Sequence, residues 1–324
     1  MIYRTLFIIS FLIIEAIFCS QAFCSDSFIS SLNKYELSSI DLKRKYPERY
    51  QALYNKVRKT ISKEELDSIM SRKIGIELDK DYDDKLMFIV SPQSAKIQRK
   101  QHKDWVPILV NDKTLKQGKQ FFYEYEKTLK AAYEQTGVLP GDIIAVLNWE
   151  SHLGKYRGTF RIFNIFVGQY FYIDEYERKL YQQGAYNKKD AMSRASALQR
   201  VVKLKKRGLD NLSQLLIQAK TKDFDPFKVK GSWAGAIGIP QFMPASMRFA
   251  KDGDGDGTID LNTMPDAIMS VANYLKFHSY HSKGKKYAFM GYNPEEMYVR
   301  GVTLYSQKIE DMGVKPFSDW VYKY

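Results

Sequence analysis

Cysteine is nearly missing from this chain. Its two cysteines, Cys19 and Cys24, both lie near the N-terminus, so the rest of the chain has no internal disulfide and must be held by its hydrophobic core. Histidine is also sparse. His102, His152, His278 and His281 make no spacing with Cys or Glu that would suggest zinc. His278 and His281, at the end of an expected helix, read as surface residues. No internal repeat and no low-complexity stretch occurs, which excludes solenoid and disordered classes. Acidic residues are outnumbered, 37 Asp and Glu against 50 Lys and Arg, for a net charge of +13. Such a balance favours polyanions such as nucleic acid, an anionic membrane or an acidic cell-wall polymer. The cations are spread along the whole chain and no nucleic-acid motif accompanies them, so the charge reads as a general surface bias and no nucleic-acid partner is expected.

The 324 residues, 44 % of them hydrophobic, suffice for one large soluble domain or two modest ones. Aromatics make up 14 %, and 23 residues are Tyr, whose apolar face and polar tip suit a sugar-binding cleft and suit an aromatic-rich core equally well. At the N-terminus, Arg4 precedes an apolar run from Leu6 to Phe18, and Ser20-Gln21-Ala22 is a small-x-small site. Residues 1–22 therefore read as a secretory signal peptide, too short for a good membrane span. Glu15 interrupts the run, which keeps an uncleaved membrane anchor as the alternative. Phe18 and Phe23 precede the cysteines where lipidation asks for a small residue. The expected location is the periplasm or cell envelope, soluble or anchored through the N-terminus.

Periodicity predicts a mainly α protein. Residues 23–95 read as a helical N-terminal region, in which Ser62 and Glu65 form a capping box before Leu66, Ile69 and Met70. The run Leu86 to Val90 is ambiguous in type. From residue 96 to 324 the pattern is that of a larger domain. Phe121, Phe122, Tyr125, Leu129, Ala132 and Tyr133 keep helical spacing, Gly137 ends that helix and Pro140 opens the next. In that next helix Ile143, Val146, Leu147 and Glu150 share one face, and Gly154 is its expected end. Residues 172–195 show little apolar periodicity and read as a surface insertion. Helix returns over 197–219, residues 231–246 form a Gly- and Pro-punctuated loop, and Pro265 starts a helix with Ile268, Val271, Ala272 and Leu275 inward.

Glu150 is the most informative residue. A carboxylate among aliphatic side chains loses hydration, which disfavours its charged form and raises its pKa, as the acid of a glycosidase requires. The alternative is a salt-bridged Glu near a helix end. His152, two residues on, points away from the Glu150 face.

The run Asn148-Trp149-Glu150-Ser151-His152-Leu153-Gly154 is followed by Gly158, then by Gly231-Ser232-Trp233-Ala234-Gly235-Ala236-Ile237-Gly238-Ile239-Pro240-Gln241-Phe242-Met243-Pro244 and by Asp266-Ala267-Ile268-Met269-Ser270-Val271-Ala272-Asn273-Tyr274-Leu275. These runs resemble the membrane-bound lytic murein transglycosylase B family over roughly residues 100 to 310. The resemblance implies a lysozyme-like catalytic core acting on peptidoglycan glycan strands, with Glu150 as sole acid and base. Glu150 would protonate the oxygen between N-acetylmuramic acid and N-acetylglucosamine, then take the proton of the C6 hydroxyl as it attacks C1 to leave a 1,6-anhydro end. It further implies that Ser232, Gln241, Phe242, Tyr292, Asn293 and Tyr298 line the substrate cleft. Against three of these stands a plainer role: Ser232 and Gln241 satisfying loop backbone, Phe242 serving as core. Asn148, Trp149 and Ser151 depart from the family's usual Gly-Val before the Glu and Thr after it.

Asp252-Gly253-Asp254-Gly255-Asp256-Gly257-Thr258-Ile259-Asp260 has the form of an EF-hand-type calcium loop, with Asp252, Asp254, Asp256 and the Thr258 carbonyl at alternating positions. The usual Glu at the twelfth position is replaced by Thr263, and the family resemblance supplies Asp266 instead. Calcium is expected over magnesium because the ligands are so rich in carboxylate, in a structural role; the plainer reading is a solvated acidic turn. The expected function is thus a lytic transglycosylase. A hydrolytic muramidase on the same residues and a non-catalytic wall-binding scaffold are the alternatives.

Overall fold

The computed structural model describes residues 42–71, 80–92, 104–187 and 191–323. The expected signal peptide and both cysteines lie outside them. The chain is mainly helical: α1 Pro47–Val57, α2 Lys63–Met70, α3 Lys80–Val90, α4 Asp112–Glu124, α5 Glu126–Thr136, α6 Pro140–Ser151, α7 Ile162–Val167, α8 Ile173–Gln182, α9 Arg194–Lys222, α10 Met264–Phe277, α11 Lys285–Tyr292 and α12 Glu296–Asp311. Extended structure among the described residues is a single antiparallel pair, β1 Phe160–Arg161 and β2 Lys230–Gly231, with Phe160 opposite Gly231. No described helix is long and apolar enough to cross a membrane.

Local chemistry sets the helix ends. The capping box forms as expected: Ser62 Oγ accepts from the Glu65 N–H at 3.1 Å and Glu65 Oε2 accepts from the Ser62 N–H at 2.9 Å, which stabilises α2 by about 1 kcal/mol. The ambiguous run at Leu86 to Val90 is the end of helix α3. Helix α6 opens on Pro140, whose missing N–H is no loss in a first turn. It ends at Ser151, three residues before Gly154. His152 and Leu153 take left-handed conformations at φ 52° and 56°, and the Leu153 N–H returns to the Leu147 carbonyl at 3.1 Å, closing the helix without a glycine.

Two further expectations change. Helix α6 does not present one apolar face, because every residue from Pro140 to Ser151 is buried. Helices α4, α5, α10 and α12 pack around it, and a helix enclosed on all sides shows no single stripe. The segment 172–195, expected as a surface insertion, carries α8, which packs on α9 and α3. Its inward residues Ile173, Glu177 and Leu180 are buried and keep helical spacing. The pattern was hidden because one of them is a glutamate, paired with Arg194 at 3.0 Å.

Two cores result. One surrounds α6 and takes residues from α4, α5, α10, α11 and α12. The other surrounds α9 and joins α1, α2 and α3 to α7, α8 and the loop from Phe227 to Leu261. The N-terminal helices therefore share a core with part of the larger domain, and the expected boundary near residue 95 does not divide the hydrophobic interior. Tyr292 packs against both cores, and the seam between them is where Glu150 lies.

Candidate functional site

Glu150 stands at the last turn of α6, 5 % exposed. Burial pushes its carboxyl up to about 8; the Tyr298 hydroxyl beside it acts weakly in the other direction, and no charged group does. The sequence expectation of a desolvated carboxyl is thus met by geometry, with removal from water as the cause.

Aromatic rings surround the carboxyl. From α12, Tyr298 sets its ring edge-on to Trp149 at 5.7 Å and parallel to Tyr292 at 6.4 Å. Tyr292, at the end of α11, donates its hydroxyl to the Pro240 carbonyl at 2.5 Å and so ties α11 to the loop after β2. Phe242 lies 5.9 Å from Tyr292 and 5.4 Å from Tyr274. The phenols of Tyr292 and Tyr298 are held well above the ordinary range, first by burial and next by the Glu150 charge. The Gln241 Oε1 is buried with no protein hydrogen-bond partner, so it can receive a substrate polar group, whereas the buried Tyr298 hydroxyl faces the Glu150 carboxyl.

The loop from Gly231 to Phe242 is held by its own backbone. Ile237 and Phe242 exchange N–H to carbonyl bonds at 2.8 and 3.0 Å, and the Ser232 N–H reaches the Ala236 carbonyl at 2.8 Å. Gly158 lies so close that a Cβ there would stand 2.1 Å from the Gly231 carbonyl, which fixes glycine at this crossing. Within this loop Ser232 Oγ accepts from the Ala236 N–H at 3.2 Å, and Gln241 Nε2 donates to the Gly238 carbonyl at 2.6 Å. Both side chains therefore bond the loop backbone, while Gln241 keeps its oxygen free. Gln241 sits at φ 51°, a left-handed conformation that costs a non-glycine residue about 1 kcal/mol and fixes its direction. Asn293 is buried beside Tyr292, and its Oδ1 accepts from the Glu295 N–H at 3.1 Å.

Sequence reasoning missed Tyr274 and His278. Tyr274, on α10, lies 4.7 Å from Tyr292 and bonds the Gly291 carbonyl at 2.8 Å, and its phenol is raised by burial and by Glu150. His278, expected at the surface, is half-buried and stacks on Tyr274 at 3.9 Å. The available signal was their i, i+4 spacing, which places both on one helix face. His152 caps α6 beside Tyr156, at 6.3 Å between rings, as its expected exclusion from the site implies.

In the acidic loop, carboxylate oxygens of Asp252, Asp254 and Asp266 lie within 4.8 Å of one another. Asp266 is buried at the start of α10, where it accepts the N–H groups of Gly253 at 2.7 Å and Asp260 at 2.6 Å. Its carboxyl is raised by burial first, and by the charges of Asp254 and Asp252. Asp256 and Thr258 stay outside that group, with Asp256 bonding the Thr258 N–H at 2.7 Å. The loop backs the candidate site, because the Ile239 N–H bonds the Leu261 carbonyl at 2.8 Å.

The Transglycosylase SLT domain family matches residues 48–319, and the chain belongs to that family. It is 33 % identical over 175 residues to the Membrane-bound lytic murein transglycosylase B of Escherichia coli (strain K12). That match covers 53 % of this chain and 40 % of the relative, so the chain spans about two fifths of the length of the curated protein it matches. Among solved structures it is similar to the Escherichia coli lytic transglycosylase SLT35 in complex with calcium, with a TM-score of 0.57 and 21 % identity over 83 % of this chain and 94 % of that one. It is also similar to SltB3 from Pseudomonas aeruginosa in complex with NAG-NAM-pentapeptide, with a TM-score of 0.57 and 16 % identity over 85 % and 83 % of the two chains. These likenesses establish a lysozyme-like fold.

Proposed function

We propose that the protein is a lytic transglycosylase that cleaves the bond between N-acetylmuramic acid and N-acetylglucosamine in peptidoglycan. The observation that carries this reading is one buried carboxyl, Glu150, whose pKa burial raises and which lies among Tyr274, Tyr292 and Tyr298, with no charged group acting on it among the described residues. A carboxyl held protonated to about pH 8 can donate to the glycosidic oxygen. Among the described residues no second carboxylate acts on Glu150, so the site fits a substrate-assisted route. The acetamido group of the muramyl sugar stabilises the developing positive charge at C1. Glu150, now ionised, takes the proton of the C6 hydroxyl as that oxygen attacks C1, and a 1,6-anhydro end results. One group serves as acid and then base, and it ends the cycle protonated as it began. Membership of the family and the relative's name support the substrate class.

The free Gln241 Oε1 fits the role of orienting the sugar's amide and the Tyr298 hydroxyl that of orienting the carboxyl, with Phe242 and Tyr292 as apolar walls and Asn293 and Ser232 as supports. Mass spectrometry of muropeptides released from purified peptidoglycan tests the reaction. Products ending in 1,6-anhydro-N-acetylmuramic acid are expected. Free reducing ends would show a hydrolytic muramidase, and no release would leave a wall-binding scaffold.

The carboxylate group of Asp252, Asp254 and Asp266 fits a calcium ion, with Asp256 and the Thr258 carbonyl as further donors from the same loop. Bound calcium would neutralise the charges that crowd Asp266 and stiffen the loop behind Ile239, a structural role. The calcium complex of SLT35 supports the choice of ion.

A further inference from the structure

Beside Tyr274 the rim of the site carries groups that the reaction does not use. Arg248 lies in the tight turn Pro244–Phe249 and is exposed. Its guanidinium stands over the Phe249 ring at 4.6 Å, and among the described residues no carboxylate pairs with it. Phe277 packs on the same ring at 4.7 Å yet is 69 % exposed. A second cation stands behind them, Lys222, which bonds the Ala250 carbonyl at 3.4 Å. The band is continuous with the site. Phe249 meets Tyr274 edge-on at 5.2 Å, and Tyr274 reaches Tyr292 beside Glu150. Arg248 and Glu150 both act on the Tyr274 phenol, from opposite signs of charge.

An unpaired guanidinium on an apolar floor, next to an exposed ring, is suited to a ligand that is anionic and partly apolar. Its planar fork matches a carboxylate with two parallel hydrogen bonds, and the ring beneath removes water from one side of the pair. We propose that Arg248, with Phe249 and Phe277, binds the acidic peptide stem carried by the muramyl sugar, Arg248 pairing with a stem carboxylate. The proposal rests on the peptidoglycan-cleaving reading above and deepens it. The stem leaves the glycan sideways through the lactyl ether, so it reaches a rim beside the cleft while the sugars occupy the cleft. Arg248 is a specificity residue that acts on binding; it leaves the bond-breaking step alone.

The test compares native peptidoglycan with the same polymer after its stem carboxylates are converted to carboxamides, which leaves every glycosidic bond intact. Wild type should show a KM about three- to fivefold lower on the native polymer, the range of an exposed ion pair, with kcat unchanged and the difference shrinking as salt is raised. Arg248→Ala should lose that preference, with native KM rising to the carboxamide value, and Arg248→Lys should keep part of it. An unchanged melting temperature in both variants removes misfolding as a cause. Equal KM of wild type on the two polymers, or a loss in Arg248→Ala that is the same on both, would overturn the proposal alone. Cleavage of neither polymer by wild type would overturn the enzymatic reading and the proposal with it.

Discussion

The Glu150 carboxyl holds its proton more tightly than an ordinary carboxyl because burial leaves it only 5 % exposed and no charge pairs with it among the described residues. Its folded pKa of about 8 exceeds the ordinary carboxyl value of 4.5. Below the lower value the folded and unfolded chains are both protonated. Between the two values the unfolded chain has released the proton and the folded chain has not, so stability falls as pH rises, and it levels off above about 8. Two outcomes are expected. Activity should decline above about pH 8 as the acid form is lost, which a pH profile of muropeptide release checks. Glu150→Gln should lower activity about a thousandfold while raising the melting temperature at pH 8, with the gap closing towards pH 5. A variant that melts below wild type at pH 8 would contradict the burial argument. Glu150 was legible from its motif and its apolar company. Tyr274 and His278 were not, because nothing in a helical run tells an inward ring that fills a core from one that lines a site.

Among the elements, α12 meets α6 at Gly301, where a Cβ would fall 1.9 Å from the Trp149 ring. Gly301→Ala must displace Trp149, whose ring meets Tyr298 edge-on, so it should cost about 1–3 kcal/mol and lower activity as well; thermal melting and muropeptide release measure the two. The acidic loop should show its ion by linkage. Calcium at a hundredfold excess over its dissociation constant would stabilise the folded chain by about 2.7 kcal/mol, and Asp266→Asn should abolish the calcium-dependent rise in melting temperature. The same rise in variant and wild type would exclude Asp266 as a ligand. Most helices could be placed from spacing and end signals, and α2 even from its capping box. The buried α6 could not be oriented from its pattern, nor α8 recognised, since a fully enclosed helix has no stripe and a buried glutamate imitates a surface.

For the molecule as a whole, the net charge of +13 predicts that attachment to the wall polymer is separable from catalysis. Glu150→Gln should still sediment with insoluble peptidoglycan at low salt and release as salt screens the attraction; salt-independent binding would refute a charge-driven component. The N-terminal helices are clasped to the rest by Arg49, which donates to the Phe171 carbonyl at 2.7 Å and pairs with Asp174. The division of the interior into two cores was not legible, because long-range packing decides which helices share one.

The enclosure of α6 on every side also bears on motion. Its backbone amides lie behind neighbouring helices in a core that no local fraying opens, so their deuterium exchange must wait for the chain to come apart globally. The slowest-exchanging amides of the molecule should therefore be those of Ile144 to Leu147, and their rate would report the total folding free energy from the same helix that ends in Glu150.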